Sequence, residues 1–231
     1  MECLKLEKMF VKDYQLVVSK DGSHTIYVPE LNEHYHSVFG AIQESNHVFI
    51  REGFDKIVKN DINILEIGFG MGLNALLTCL KSDKVNRIVN YTSIEPFPLD
   101  TTVWNKLNYP ELLEEKDAKK VFFKIHEAEW GKAELIIGSF ELLKIRNTLE
   151  EIKLPEAFYD IVYFDAFSPE VQPSLWSEDN FLKINKAIKS GGILVTYSSK
   201  GIVKQALRAV GFEIKRLPGP KGKHHMLRAT R

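Results

Sequence analysis

The chain predicts an α/β protein built on a doubly wound, mostly parallel sheet. Three observations carry that expectation. Short apolar runs alternate with helical patterns from residue 62 onward, a glycine-rich turn follows the first run, and two later runs end on a carboxylate. "INILEI" (62–67) reads as a buried strand, and "GFGMG" leads from it into the helix start "LNALLTCL". "RIVNYTSI" (87–94) is a second strand that runs into Glu95, and "AELIIG" (133–138) is a third. "YDIVYF" (159–164) is a fourth, running into Asp165, and "GILVTY" (192–197) is a fifth. Between the last two, "SEDNFLKINKAIKS" carries helix signals. Ser177 is placed as N-cap, Glu178 and Asp179 favour the positive end of the helix dipole, and Gly191-Gly192 reads as the stop. Trp176 and Phe181 occupy the positions of a hydrophobic staple. "KGIVKQALRAVG" is a further helix, and "FEIKRL" and "HHMLRAT" close the sheet as a pair with an antiparallel C-terminal strand.

Upstream of residue 59 the pattern differs. "YQLVVSKDGSHTIYV" (14–28) is a hairpin signal around Lys-Asp-Gly-Ser, and residues 37–58 carry helical spacing. The expected organisation is an N-terminal extension over residues 1–58, packed on a sheet domain over residues 59–231. Of 231 residues, 44% are hydrophobic, as in an ordinary globular protein, and no apolar run approaches a membrane span of roughly 18 residues. The opening "MECLKLEKMF" has no signal-peptide pattern, and Cys3 and Cys79 are too few for a disulfide framework. A reduced, cytoplasmic protein without a membrane partner is expected. Net charge is zero, yet residues 200–231 hold nine Lys and Arg against one acid, Glu213. That asymmetry suits a polyanionic partner or, equally, a solvated basic strand pair.

In an open α/β sheet, ligands bind beyond the carboxyl ends of the strands. Those ends supply Gly68, Gly70 and Gly72, then Glu95, Asp165, and Tyr197, Ser198 and Ser199. The glycines let backbone approach a ligand at a helix start. Their spacing is G-x-G-x-G, with Leu73 where a dinucleotide fingerprint has its third glycine. That form, preceded by "LEI", points to a class I methyltransferase binding S-adenosylmethionine (SAM). Glu95 is then placed to accept from the ribose hydroxyls of an adenosine, with Pro96 stiffening its backbone. His34, His36 and His47 lack accompanying Cys or carboxylate ligands at metal spacing, so no metal is expected.

Four segments together, "ILEIGFGMGLNALL", "YTSIEPFPL", "YDIVYFDAFSPEVQPSLWSEDNF" and "GGILVTYSSKGIVKQALRAVGFEIKR", followed by "GPKGKHHML", resemble the methyltransferase-domain family of MnmC and its stand-alone MnmD-like relatives. The phrase from Asp165 to Trp176 is the most specific of these. The resemblance implies SAM-dependent N-methylation of the aminomethyl group on wobble uridine, or 2-thiouridine, in tRNA, with the anticodon stem-loop as partner. It implies no FAD in this chain, and an upstream enzyme that supplies the aminomethyl form. Asp165 is the expected catalytic residue, orienting the amine and stabilising its developing charge. The expected cofactor set is Glu66, Gly68, Gly70, Gly72, Asn74, Glu95, Pro96, Ser139 and Asp165; Ser139 stands where relatives carry an aspartate toward the adenine. Tyr35, Phe167, Pro169, Tyr197, Ser198, Ser199, Lys200, Lys221 and Lys223 are the expected substrate and RNA residues. Two other readings remain at this stage: an aminopropyltransferase like spermidine synthase, and a SAM- or RNA-binding module without catalysis.

Overall fold

The computed structural model describes residues 14–231; Cys3 and the opening decapeptide lie outside the described residues. The hairpin expected near the start is present as β1 (Gln15–Val18) and β2 (His24–Val28), and β3 (Glu33–His34) extends it to three antiparallel strands. The helical stretch that follows is broken. A short α1 (Ala41–Ser45) continues as a π-helical turn, Asn46–Arg51, and ends in a 3-10 turn, Phe54–Lys56. Its apolar residues Val48, Phe49 and Phe54 are buried in one cluster with Ile26 and Val28 of β2 and with the main sheet's Ile62 and Ile64. The extension and the sheet therefore share apolar core.

The main sheet has eight strands: β4 (Asp61–Ile67), β5 (Ile88–Ile94), β6 (Ala133–Ile137), β7 (Phe140–Ile145), β8 (Tyr159–Phe164), β9 (Ile188–Thr196), β10 (Glu213–Pro218) and β11 (His225–Thr230). Their spatial order is β10-β11-β9-β8-β4-β5-β7-β6. The five strands β7, β5, β4, β8 and β9 are mutually parallel, with β11 antiparallel to β9 and β6 antiparallel to β7. Helix α2 (Leu73–Lys84) follows the glycine turn, and α3 (Ala118–Glu127) precedes β6; α4 (Glu178–Ala187) precedes β9, and α5 (Gly201–Ala209) follows it.

Side-chain alternation on β8 explains the layers. Ile161 and Tyr163 enter the cluster that holds α2 and α3, whereas Val162 and Phe164 enter the cluster that holds α4 and α5. Both faces of the strand are covered, so it reads as a continuous apolar run. Its one interior acid, Asp160, is buried but takes Lys59 at 2.6 Å, Lys189 at 2.8 Å and the amide of Asn63 at 3.0 Å.

Two sequence expectations are corrected. "AELIIG" is not the third parallel strand but the antiparallel edge strand β6; Gly138, at φ 49°, turns the chain back into "FELLKI", which is β7. An edge strand and an interior strand of like composition cannot be told apart by periodicity. Gly191-Gly192 also does not stop α4. The helix ends at Ala187, where the amides of Ala157 and Phe158 take the carbonyls of Lys186 and Ala187 at 2.8 Å each. The two glycines instead lie inside β9, where its register against β8 shifts. The Ser177 cap and the Trp176–Phe181 contact stand as expected, with ring centroids 6.3 Å apart.

Candidate active site

Three parallel strands deliver three backbone ends to one crevice. The amide of Gly68 bonds to Ile94 O, that of Glu95 to Ile145 O, and that of Asp165 to Ile67 O, each at 3.0 Å. The ladder therefore runs one residue past each strand and places the glycine turn, Glu95 and Asp165 side by side. Gly68, Gly70 and Gly72 all adopt positive φ (93°, 48° and 69°). A Cβ at Gly68 would lie 2.5 Å from Asp165 O, so only glycine permits the turn to pass that close to the Asp165 loop.

Glu95 closes on this turn. Its Oε2 accepts from the Gly70 amide at 3.1 Å and its Oε1 from the Phe97 amide at 2.9 Å. Burial pushes its carboxyl up to about 7, against the pull of those amides. Tyr35 covers the turn from above: a Cβ on Gly70 would meet its ring at 3.1 Å, and its ring packs edge-on against Phe167 at 5.0 Å.

Asp165 is held by Asn74, whose Nδ2 donates to Oδ2 at 2.8 Å, while Asn74 Oδ1 has no partner. Burial raises the Asp165 carboxyl above its usual range, His36 opposes that rise and the Glu44 charge adds to it. Around Asp165 stand His36 and, beyond it, Glu44 and Lys223. Lys223 Nζ donates to Glu44 Oε2 at 2.5 Å and lies 3.9 Å from the centroid of the Tyr197 ring. Tyr197 in turn donates to Ala166 O at 2.8 Å, and Trp176 Nε1 to Phe167 O at 2.8 Å. Pro169 is buried, so the loop after Asp165 is fixed at its start, its middle and its end. Ser198 Oγ is buried without a partner close by in the chain, and Ser199 is half-buried.

Several expected site residues sit elsewhere. Ser139 lies at the opposite edge of the sheet: it precedes β7, its carbonyl takes the amide of Val89 at the start of β5, and the adjoining Gly138 faces Asp83 at the far end of α2. The residues that follow β7 at its carboxyl end are Arg146 and Asn147. Glu66 is wholly buried under the turn, accepting from Ser93 Oγ at 2.6 Å, with burial pushing it up to about 8. It supports the crevice floor and does not line it. Lys223 is not a free phosphate contact, since Glu44 holds it; Lys200 pairs with Glu170, and Lys221 is exposed. Trp176, at 2% exposure, is core, as its staple position implies. His34 packs on Tyr27, His47 binds Pro218 O, and among the described residues no group of three His, Cys, Asp or Glu could hold a metal ion. His36 and Glu44 were missed as site residues. They lie in the N-terminal extension, and nothing local brings them to Asp165, which is 129 residues beyond His36 and 121 beyond Glu44.

The donor set fits an adenosyl sulfonium. A glycine turn with helix α2 behind it, a carboxylate at the end of β5 fixed by two amides, and the unpartnered amide oxygen of Asn74 match a ribose, a backbone-lined chain and a polar tail. The class of protein that this fold and site resemble is the S-adenosyl-L-methionine-dependent methyltransferases. The family model of that description matches residues 117–231. More particularly, the chain is similar to the MnmC proteins. The tRNA 5-methylaminomethyl-2-thiouridine biosynthesis bifunctional protein MnmC of Cupriavidus metallidurans is 31% identical over 230 residues, covering 91% of this chain and 33% of that protein. The crystal structure of MNMC2 from Aquifex aeolicus superimposes with a TM-score of 0.76 at 26% identity, covering 99% of this chain and 75% of that one. Spermidine synthase from Thermotoga maritima shares the fold, with a TM-score of 0.51 at 15% identity, covering 90% of this chain and 68% of that one. The chain spans about a third of the length of the curated relatives it matches. Among the described residues no helix is long and apolar enough to cross a membrane.

Proposed function

We propose that this chain transfers a methyl group from S-adenosylmethionine to the primary amine of a 5-aminomethyl group on the wobble uridine, or 2-thiouridine, of tRNA. The observation that carries the reading is the Asp165 carboxylate, 8% exposed beside the glycine turn, with its neighbour Glu44 already paired to Lys223: an amine is the substrate such a group is built to receive. The relation to MnmC supports the nucleoside and the tRNA. The methyl donor supplies an electrophilic carbon on a sulfonium. The protein's part is to place a nitrogen lone pair in line with it and to exclude water.

A free alkyl ammonium has a pKa of about 10 and no lone pair to give. Asp165 orients the amine through Oδ1 while Asn74 fixes Oδ2, and its charge stabilises the nitrogen as that becomes cationic. Gly68, Gly70, Gly72, Glu95, Pro96, Asn74 and Asn147 hold the adenosyl group. Tyr35 and Phe167 flank the outward-turned base, and the exposed basic face with Lys200 and Lys221 meets RNA phosphates. An enzyme that releases the free aminomethyl form acts before this one.

The reading is tested by incubating the protein with methyl-labelled SAM and tRNA bearing 5-aminomethyl-2-thiouridine, then analysing nucleosides. Label in the methylaminomethyl nucleoside is expected. Label in another nucleoside, or none in RNA alongside transfer from decarboxylated SAM to putrescine, overturns it.

A further inference from the structure

His36 occupies a position that the Asp165 chemistry leaves unexplained. Its backbone is pinned on both sides by one threonine: the His36 amide donates to Thr25 Oγ1, and Thr25 Oγ1 donates to His36 O, each at 3.0 Å. Its ring is buried, with 6% of the side chain exposed. Nδ1 stands 4.0 Å from Asp165 Oδ2 and 3.8 Å from Glu44 Oε1, and it has no hydrogen-bond partner. Both separations are too long for a hydrogen bond. The ring nitrogen is thus buried between two carboxylates and bonded to neither.

The charges around it can be counted element by element. Asp165 reaches in from the end of β8, Glu44 from α1 and Lys223 from the loop between β10 and β11; these are the charged groups that face the ring. Lys223 is committed to Glu44, so the pocket retains one uncompensated negative charge. It therefore stabilises one further cation, and two candidates compete for that place: the protonated His36 ring and the ammonium of the substrate. Placing both together puts two positive charges in a buried site that balances only one. The arrangement exchanges one cation for the other.

On the methyltransferase reading given above, we propose that His36 is the group that takes the proton shed by the substrate amine. The substrate enters as an ammonium and settles against Asp165, which drives the His36 ring to its neutral form. One N–H bond of the ammonium then breaks, its proton bonds to the ring nitrogen, and the electron pair stays on the substrate nitrogen as a lone pair. That pair forms the N–C bond as the donor's C–S bond breaks, its electrons remaining on sulfur. The product nitrogen is cationic beside a now cationic His36, and their repulsion favours release, after which the ring passes its proton to water. Asp165 orients; His36 accepts.

The test pairs kinetics with a titration of the free protein. In H36Q, kcat should fall about 100-fold, the lower bound for a lost general base. The acid limb of kcat/KM should move up toward the ionisation of the amine itself, with SAM affinity by calorimetry unchanged. Imidazole should restore part of the rate in H36A. Independently, the His36 ring followed by NMR should titrate above the ordinary 6.5, fall in E44Q, and fall again when 5-aminomethyluridine nucleoside is added. Wild-type kcat and an unmoved acid limb in H36Q overturn the proposal. If H36Q does not fold, a ring titration in the wild-type protein that ignores the added amine overturns it as well. Should the wild-type protein methylate no aminomethyl nucleoside, the functional reading fails, and the ring titration still decides whether amine and His36 share one charge.

Discussion

Lys223 and Glu44, 179 residues apart in the chain, meet at 2.5 Å and join the last loop of the sheet to the N-terminal helix directly beside Asp165. His47 to Pro218 O and Arg228 to Glu52 reinforce the same junction at 2.9 and 3.2 Å. Glu44 is 3% exposed, so losing its partner strands a buried charge. Lys223→Ala should lower unfolding free energy by about 3 kcal/mol in denaturant titrations, the order expected for breaking a buried pair. The E44Q/K223M double variant should lose less than the sum of the two single changes.

The same cluster sets a pH window. Burial alone would raise the Glu44 carboxyl, but Lys223 and His36 reverse that and bring it down to about 2 from an ordinary 4.5. Its stabilisation is thus complete above 4.5 and lost as pH falls toward 2. Burial lowers the His36 ring, yet Glu44 and Asp165 outweigh it and raise the ring above 6.5; its stabilisation is complete below 6.5 and lost as pH rises through the folded value. Glu66 and Glu95 are pushed up from an ordinary 4.5 to about 8 and about 7 by burial, so their stabilisation is complete below 4.5 and lost as pH rises through those values. Thermal melts of the ligand-free protein should therefore be highest near pH 4.5, and E66Q should flatten the fall above it.

Glu95 makes the cofactor's affinity pH-dependent. In the proposed function its ionised form accepts the ribose hydroxyls, and burial pushes its carboxyl up to about 7. SAM affinity by calorimetry should rise between pH 6 and pH 8. Glu95→Gln should remove that slope and weaken binding about tenfold, the order of one charged hydrogen bond.

Asn147 and Ser139 separate two placements of the adenine contact. Ser139→Ala, at the far edge of the sheet, should leave SAM affinity unchanged, whereas Asn147→Ala should weaken it several-fold. The reverse result would return the site to the β6–β7 turn.

The basic residues divide likewise. Lys221→Glu should weaken tRNA binding and lower the salt slope of log Kd by about one, leaving SAM affinity intact. Lys223→Glu should instead destabilise the protein and cut turnover, because it repels Glu44. Asp165→Asn should keep SAM binding while kcat falls at least about 100-fold.

The sequence by itself determined the strand–helix alternation, the glycine turn, and the delivery of Glu95 and Asp165 to strand ends. Each of these is a local property: apolar runs, φ restrictions and capping act within a few residues, and a parallel sheet aligns strand ends automatically. It misplaced what depends on pairing. "AELII" and "FELLKI" are equally good strands, and only the order of hydrogen-bonded neighbours made one an edge and the other the third interior strand, placing Ser139 at the amino end of β7 and Asn147 beyond its carboxyl end. Asp165 looked like a solitary carboxylate in a stiff loop. The tertiary structure set it opposite His36 and Glu44, with Lys223 brought from the other end of the chain to balance the charge. Burying those four groups together is possible only because each compensates another, and compensation of that kind is decided by distance in space, which one-dimensional pattern does not encode.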